Sequence, residues 1–363
     1  MTKVMDIYRY IDGLAPFSRQ ESWDNSGLLV GDQDKPVTVA MVALDITDAV
    51  ISEAVEKRAD LLISHHPVIF HPQKRVMAGD LVYRLIQEGM TAICAHTNLD
   101  VAQLGVNDCL AKALGLQQIE ILETSGREKF YKICTFVPAQ QVEQVRGAMA
   151  RAGAGSLGEY TDCAFISDGE GSFRPSVKAS PFIGEPGELA RVEEFKIEMI
   201  VSEKDKDNVI KALLVAHPYE TPAYDLFENA GIEVAYGLGR IGMLEENMGA
   251  EEFSLHVKDA LDTPMVRSNR IDKQIQRVAV CGGAGGSLLH SAVAAGADAL
   301  VTGDVKHDLW LEADRLGILL IDAGHFATEN VVIPRLRGLL QTRFSDVRFL
   351  LPQSNMDPVV YTF

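Results

Sequence analysis

Cysteine is scarce in this 363-residue sequence, and its distribution excludes two common uses of the residue. The number of cysteines is odd, they are scattered, and none forms a Cys-x-x-Cys pair; they are Cys94, Cys109, Cys134, Cys163 and Cys281. The pattern predicts neither a disulfide framework nor a thiolate zinc site. We expect free thiols that are buried as small apolar side chains in a reducing cytoplasm.

Long apolar runs are also missing. No stretch reaches the roughly eighteen apolar residues that a membrane-spanning helix requires. The first residues, MTKVMDIYRYIDGLAP, contain neither a long apolar block nor a small-residue cleavage site. They are typical of a first helix rather than of a secretory signal, and we expect a cytoplasmic protein with no membrane partner.

Positive charge is in deficit. Lys and Arg total 34 against 51 for Asp and Glu, which gives a formal net charge of −17. No cluster of Lys and Arg interrupts this acidic balance, and an acidic surface repels phosphate backbones. We therefore do not expect the protein to bind nucleic acid.

The first third of the chain has the pattern of an α/β sheet. Apolar, β-branched runs alternate there with segments whose apolar residues have helical spacing, the first of which begins with Thr47 as a candidate helix cap. The predicted strands are 37–44, 60–64 and 91–95, and the predicted helices are 47–58 and 81–88. This order predicts a parallel sheet with right-handed crossovers.

The last third repeats this pattern. The predicted strands are 278–281, 299–302 and 318–322, and the predicted helices are 287–295 and 308–316. Residues 59–64 (ADLLIS) resemble residues 297–302 (ADALVT), which favours a two-lobed α/β core built from related halves. A generic α/β pattern would also give this much similarity by chance.

The middle of the chain has a different character. Two strand-helix pairs are predicted, with strands at 130–138 and 195–201 and helices at 141–152 and 204–216. They predict a ferredoxin-like α+β insert, which ends with the sequence HPYETPAYD. We therefore divide the chain into residues 1–126, the first half of the core, 127–240, the insert, and 241–363, the second half.

Two histidines follow a predicted buried strand directly. His65 and His66 come after the run LLIS, and Pro67 then restricts His66 to extended conformations. Open α/β sheets place their sites at the carboxyl ends of parallel strands, and neutral imidazole is a favoured ligand of divalent metal ions. The pair is therefore a candidate metal site, and two surface histidines in a loop are the alternative.

Polar side chains also follow two other predicted strands. Asp100 can supply a carboxylate that bridges two metal ions, and His96 lies one turn earlier; ordinary loop capping is the alternative. His325 and Glu329 are four residues apart, so a helix starting there would place both on one face. The alternative is a polar pair on a helix surface. Together these turns predict a two-metal site that would activate water.

A glycine-rich turn, GGAGGS at 282–287, lies between a predicted strand and a predicted helix. Its backbone amides could bind phosphate, but it lacks the lysine of a P-loop. A tight strand-to-helix turn is the favoured interpretation. Asp304 and Lys306 also follow a strand and are candidates to line the same cleft.

Five motifs together resemble those of the GTP cyclohydrolase I type 2 homologues, also called the Nif-three-like dinuclear-metal proteins. They are WDNSGL at 23–28, SHHP at 64–67, HTNLD at 96–100, TGDVK at 302–306 and DAGHFATE at 322–329. Their order and separation match over the first and last thirds. The middle, with HPYETPAYD, resembles the CutA/PII-like insert of the longer bacterial members.

The resemblance implies a set of metal ligands and an assembly. It implies that two divalent ions, zinc, iron or manganese, bind to each subunit. The implied ligands are His65, His66, Asp100, His325 and Glu329, with Asp100 or Glu329 as the candidate bridge between the ions. It also implies a toroidal homohexamer, and metal-dependent hydrolysis of a nucleotide-like substrate, as in the opening of the purine ring of GTP. His96 is a candidate proton carrier beside the ligands.

One alternative function belongs to another class. The chain could be a non-catalytic regulatory or scaffold protein that holds metal ions, with an insert that senses a small ligand. PII-like and CutA-like modules often bind small ligands, so the insert is where such a role would lie.

Overall fold

The computed structural model describes residues 1–158 and 160–362, which form two compact units. One unit comprises Met1–Ser125 and Tyr236–Phe363, and the other comprises Gly126–Ala235. No helix in the described part of the chain has the length and apolar character needed to span a bilayer. All five cysteines are free, as predicted, and only Cys163 is not buried.

The described residues contain strands and helices in alternation. The strands are β1 (Gly27–Val30), β2 (Val39–Ala43), β3 (Leu61–Ser64), β4 (Thr91–Cys94), β5 (Gln117–Pro138), β6 (Ala164–Phe173), β7 (Ala190–Ser202), β8 (Tyr224–Gly249), β9 (Arg267–Ser268), β10 (Gln274–Val280), β11 (Ala299–Thr302), β12 (Leu319–Asp322) and β13 (Arg348–Leu350). The helices are α1 (Val4–Leu14), α2 (Asp48–Glu56), α3 (Leu81–Gln87), α4 (Thr97–Val101), α5 (Val106–Ala113), α6 (Val142–Arg151), α7 (Lys206–Ala216), α8 (Ala250–Ala260), α9 (Leu289–Ala294), α10 (His307–Leu316), α11 (His325–Asn330) and α12 (Val332–Arg343).

The first lobe of the larger unit is a sheet of order β1-β4-β3-β2-β13, in which only β1 runs antiparallel to its neighbour. Successive residues of β2 point to opposite faces. Ala40 and Val42 pack with α1 and α12, whereas Met41 and Ala43 pack with α2 and α3. Because helices cover both faces, the strands are uninterrupted apolar runs. Thr47 caps α2 as predicted, accepting a hydrogen bond from the Val50 amide.

The second lobe has the same organisation. Strands β10, β11 and β12 are parallel, and β8 and β9 pair antiparallel at their two sides. Val278 and Val280 of β10 pack with α5 and α8, whereas Ala279 packs with α9 and α10. The predicted two-lobed α/β fold class is therefore confirmed. The chain finally returns to the first lobe, where α12 packs and β13 pairs with β2.

The smaller unit is the predicted α+β insert. Its elements follow the order β5-α6-β6-β7-α7-β8, and its strands have the spatial order β6-β7-β5-β8, with β7 antiparallel to β5 and β6. This is the ferredoxin-like arrangement. Apolar side chains of α6, α7, β5 and β7 form its core. Strand β6 was not predicted, because its sequence is rich in glycine and polar residues and is mostly exposed.

Helix α8 offers a test of how the second lobe is stabilised. Phe253 is fully buried between this helix and the sheet, so Phe253→Ala should lower the free energy of unfolding by about 3–5 kcal/mol. Leu255, 55% exposed on the same helix, is the matched control, and Leu255→Ala should change it by less than about 0.5 kcal/mol. Urea unfolding followed by circular dichroism measures both, and equal effects would contradict this packing.

Candidate metal centre

The five predicted metal ligands and the predicted proton carrier lie at one place in the larger unit, where strands of both lobes end. The residues brought together are His65, His66, His96, Asp100, His325 and Glu329. The two histidines of the SHHP motif follow β3, and the HTNLD motif follows β4 and forms α4. Helix α11 begins at His325 after β12, so His325 and Glu329 share a face, as their spacing predicted.

The same kind of contact fixes the ring orientation of each of the four histidines. Each ring presents Nδ1 to an oxygen outside the cluster: the Ala95 carbonyl for His65 (2.9 Å), Asp45 for His66 (2.7 Å), Asp24 for His96 (2.8 Å) and Asp304 for His325 (2.8 Å). These oxygens are acceptors, so the neutral rings carry their hydrogen on Nδ1. The lone pair of Nε2 is then free for a metal ion.

The inward-facing atoms lie close to one another around Glu329. Its Oε2 atom is 2.9 Å from His66 Nε2, 3.0 Å from His325 Nε2 and 3.8 Å from His65 Nε2. The Nε2 atoms of His66 and His325 are 3.3 Å apart, and Asp100 Oδ1 is 3.6 Å from His65 Nε2. Imidazole nitrogens and carboxylate oxygens, the atoms that commonly ligate metal ions, are thus concentrated in a space a few ångströms across.

Two of these atoms are buried without a hydrogen-bond partner: His65 Nε2 and Asp100 Oδ1. Leaving such atoms unpaired is costly, so native structures rarely do it. Together with Glu329 they form one group that could hold an ion, and a second group is His66, His325 and Glu329. The donor set therefore fits metal ions, and Glu329 is common to both groups.

The electrostatics of the cluster favour positive charge. Burial alone would raise the pKa of Glu329, but the surrounding histidines hold it well below its usual range. The hydrogen bond to Glu329 raises the pKa of His325 to about 9. Despite burial, contacts with Asp45 and Glu329 raise the pKa of His66 to about 10. In the metal-free protein, protons on His66 and His325 supply the positive charge, and divalent cations would displace these protons on binding.

The glycine-rich turn serves the packing of the site. The amides of Gly282, Gly283 and Gly285 already donate to Asn107, Thr328 and Thr302 respectively. They are not free to bind phosphate, which supports the tight-turn interpretation. Gly283 has a φ of +61°, and a Cβ atom there would lie 2.2 Å from Glu329 Oε1. Glycine is needed because the backbone passes directly against that carboxylate.

Two cavities open onto the cluster, and both are lined by His66 and His325. One, of about 580 Å³, is also lined by Trp23, Phe70 and His96. The other, of about 480 Å³, is also lined by Arg267. Small molecules could thus reach the inward-facing atoms from two directions.

Sequence reasoning did not predict that three carboxylates orient the histidines. Asp45 lies two residues after the end of β2, just as His66 lies two residues after the end of β3, and that parallel was a usable signal. Asp24 lies in the WDNSGL motif, and hydrogen bonds from His96 and Thr97 hold its pKa well below its usual range, although burial opposes this. Asp304 was predicted only to line the cleft, whereas the structure pairs it with His325.

The fold and the site define a class: an α/β protein in which buried histidines and carboxylates form groups that could hold metal ions. The model of the Duf34/NIF3 (NGG1p interacting factor 3) family matches residues 2–358. The chain therefore belongs to this family.

Relatives and solved structures match almost the whole chain. A GTP cyclohydrolase 1 type 2 homolog of Halalkalibacterium halodurans is 41% identical and one of Bacillus subtilis is 38% identical, each covering 98% of this chain. The alignments cover 98% and 97% of those relatives. The crystal structure of a Bacillus cereus protein related to NIF3 superimposes with a TM-score of 0.87 at 36% identity, covering 99% of both chains.

The orienting carboxylates can be tested directly. Asp45→Asn should weaken zinc binding by about 10–100-fold, because the amide no longer fixes the tautomer and orientation of His66. Asp48→Asn is the control, since the exposed Asp48 carboxylate pairs with Arg84 and is in none of the candidate ligand groups. Competition titration against a chromophoric chelator measures both affinities. Wild-type affinity in the Asp45 variant would contradict this role.

Proposed function

We propose that this protein is a dinuclear metal-dependent hydrolase that acts on a nucleotide-like substrate. The observation that carries the proposal is the convergence of two partnerless buried atoms, His65 Nε2 and Asp100 Oδ1, beside the Glu329 carboxylate, which is shared by two candidate ligand groups. A site of this kind, with mixed imidazole and carboxylate donors, is typical of two-metal hydrolases.

The ligands of the proposed centre are His65, His66, Asp100, His325 and Glu329, for two zinc, iron or manganese ions. Glu329 is the proposed bridge, because its Oε2 atom is 2.9 Å from His66 Nε2 and 3.0 Å from His325 Nε2. Asp100 completes the side of His65, from whose Nε2 atom its Oδ1 lies 3.6 Å away. When bound, such ions lower the pKa of water and stabilise developing negative charge.

His96 is the proposed proton carrier. Asp24 fixes its ring through Nδ1, which leaves Nε2 able to accept a proton at the wall of the 580 Å³ cavity. His96 also lies in a third candidate ligand group with His65 and His66, so it is close enough to act beside the ions. A positioned histidine contributes about 10²–10⁴-fold to a hydrolytic rate.

The same cavity supports the choice of a nucleotide-like substrate. Trp23 and Phe70 are 58% and 40% exposed, and their ring centroids are 5.9 Å apart. Exposed aromatic rings are suitable for stacking on a planar base. No lysine or arginine is among the described residues that line this cavity, so we expect the base to be recognised rather than the phosphates. The name of the relatives leads us to GTP as the first candidate.

We further propose a cytoplasmic homohexamer of toroidal form, as the family resemblance implies. Large apolar side chains exposed on the larger unit, such as Ile86 at 61% and Leu311 at 61%, are candidates for burial between subunits. Mass measurement in solution at low protein concentration tests this assembly. A monomer would contradict it.

The activity is tested with protein stripped of metal and reloaded with zinc, iron or manganese. Loaded protein should consume GTP, guanosine or a related nucleotide, as measured by chromatography of the products. Glu329→Gln should abolish turnover and lower metal content, because it removes the proposed bridge. His96→Gln should retain the metal but lower the rate by about 10²-fold or more.

Glu251→Gln changes an exposed glutamate on α8 and is the control for the loss of one carboxylate. It should leave both metal content and rate unchanged. Retained metal without turnover on any nucleotide would refute the hydrolase and favour a non-catalytic metal-binding role. Turnover that survives Glu329→Gln would place the chemistry elsewhere.

A further inference from the structure

The insert contains a cavity that the metal chemistry does not use. It measures about 660 Å³ and lies wholly within the smaller unit, between strand β6, the chain that follows it, and the segment HPYET at 217–221. This volume is typical of sites for small organic molecules. What it binds can be inferred from its charged and aromatic lining.

A buried carboxylate faces this cavity. Glu194 is only 9% exposed, and its Oε1 atom accepts a hydrogen bond of 2.6 Å from the Tyr219 hydroxyl. Gly171 lies against the other oxygen, where a Cβ atom would be 1.9 Å from Oε2. Burial and the nearby carboxylate raise the pKa of Tyr219, so the phenol keeps its proton and remains a donor.

The HPYET segment holds this pair in place. His217 is buried; its Nε2 atom donates to the Phe136 carbonyl at 2.9 Å, and its Nδ1 atom accepts from the Tyr219 amide at 3.1 Å. Burial lowers the pKa of His217, so the ring stays neutral and can make both contacts. The histidine thus fixes the backbone from which the tyrosine reaches Glu194.

No described lysine, arginine or histidine forms an ion pair with Glu194. Lys196 also lines the cavity, but its ammonium group pairs with Glu198 at 2.9 Å, and the nearby Arg191 pairs with Glu170. Asp168 and Glu220 add further negative charge to the lining. A buried carboxylate without a cationic partner is unfavourable, so a positively charged ligand in this cavity would stabilise Glu194.

The remaining lining is aromatic. Tyr219 lies between two phenylalanines, with ring centroids 5.8 Å from Phe173 and 6.4 Å from Phe182. Aromatic faces attract organic cations and also bury apolar groups. Hard metal ions instead require several oxygen ligands close together, and no group of three or more His, Cys, Asp or Glu donors is found at this cavity among the described residues.

We propose that this cavity binds a small organic cation: an ammonium group paired with Glu194 and Tyr219, joined to an apolar or aromatic body packed on Phe173 and Phe182. The site shares no residue with the candidate metal centre. It gives the insert a ligand of defined charge.

The test uses phenethylammonium as the probe, with phenethyl alcohol and 3-phenylpropionate as neutral and anionic analogues of the same shape. Isothermal titration calorimetry on the full chain should show that the amine binds at least about tenfold more tightly than the alcohol, and that the carboxylate does not bind. Glu194→Gln should weaken binding of the amine by about tenfold or more, because the ammonium loses its charged partner.

Glu193→Gln is the matched control, because Glu193 precedes Glu194 on β7 but is exposed and does not line the cavity. It should bind the amine like the unmodified chain. Equal binding of all three probes, no binding of the amine, or full affinity in Glu194→Gln would each overturn the proposal. The proposal would also be overturned if the unmodified chain did not bind the amine and Glu194→Gln dissociated the oligomer. That result would indicate that a basic side chain of another copy of the chain occupies the cavity.

Discussion

The structure of the larger unit depends on one costly arrangement, the burial of the Glu329 carboxylate among the Nε2 atoms of three histidines. A buried anion is tolerated only when positive charge and hydrogen bonds surround it. The outer carboxylates Asp24, Asp45 and Asp304 turn histidine rings towards this point, and Gly283 lets the backbone pass against it. Much of the sequence around the site serves this one requirement.

The two-lobed fold explains why the residues can meet. Each lobe ends its parallel strands in polar turns, so β3 and β4 contribute one side of the cluster and β12 contributes the other. The carboxyl ends of parallel strands are where α/β sheets place their sites. The return of the chain through α12 and β13 to the first lobe ties the lobes together, since α12 follows directly after the helix that carries His325 and Glu329.

Sequence reasoning predicted the elements that have strong local signals. The apolar runs at β2, β3 and β12 and the cap at Thr47 could be identified because burial and capping depend on nearby residues. Strand β6 was not predicted, because its glycines and polar residues do not give an alternation of apolar and polar side chains. Its position depends instead on pairing with β7. The roles of the aspartates that orient the histidines were not predicted, because these hydrogen bonds join residues up to 72 positions apart in the sequence. The ligand roles of the five residues remain a prediction that the geometry supports.

The central claim is that the cluster holds two metal ions. Elemental analysis of protein purified without chelators or affinity nickel, beside His325→Ala, tests it most directly. The account predicts about two metal ions per chain, with a sharp fall in the variant, because His325 contacts the carboxylate shared by both ligand groups. A chain that contains no metal, and regains none when zinc, iron or manganese is added, would contradict it.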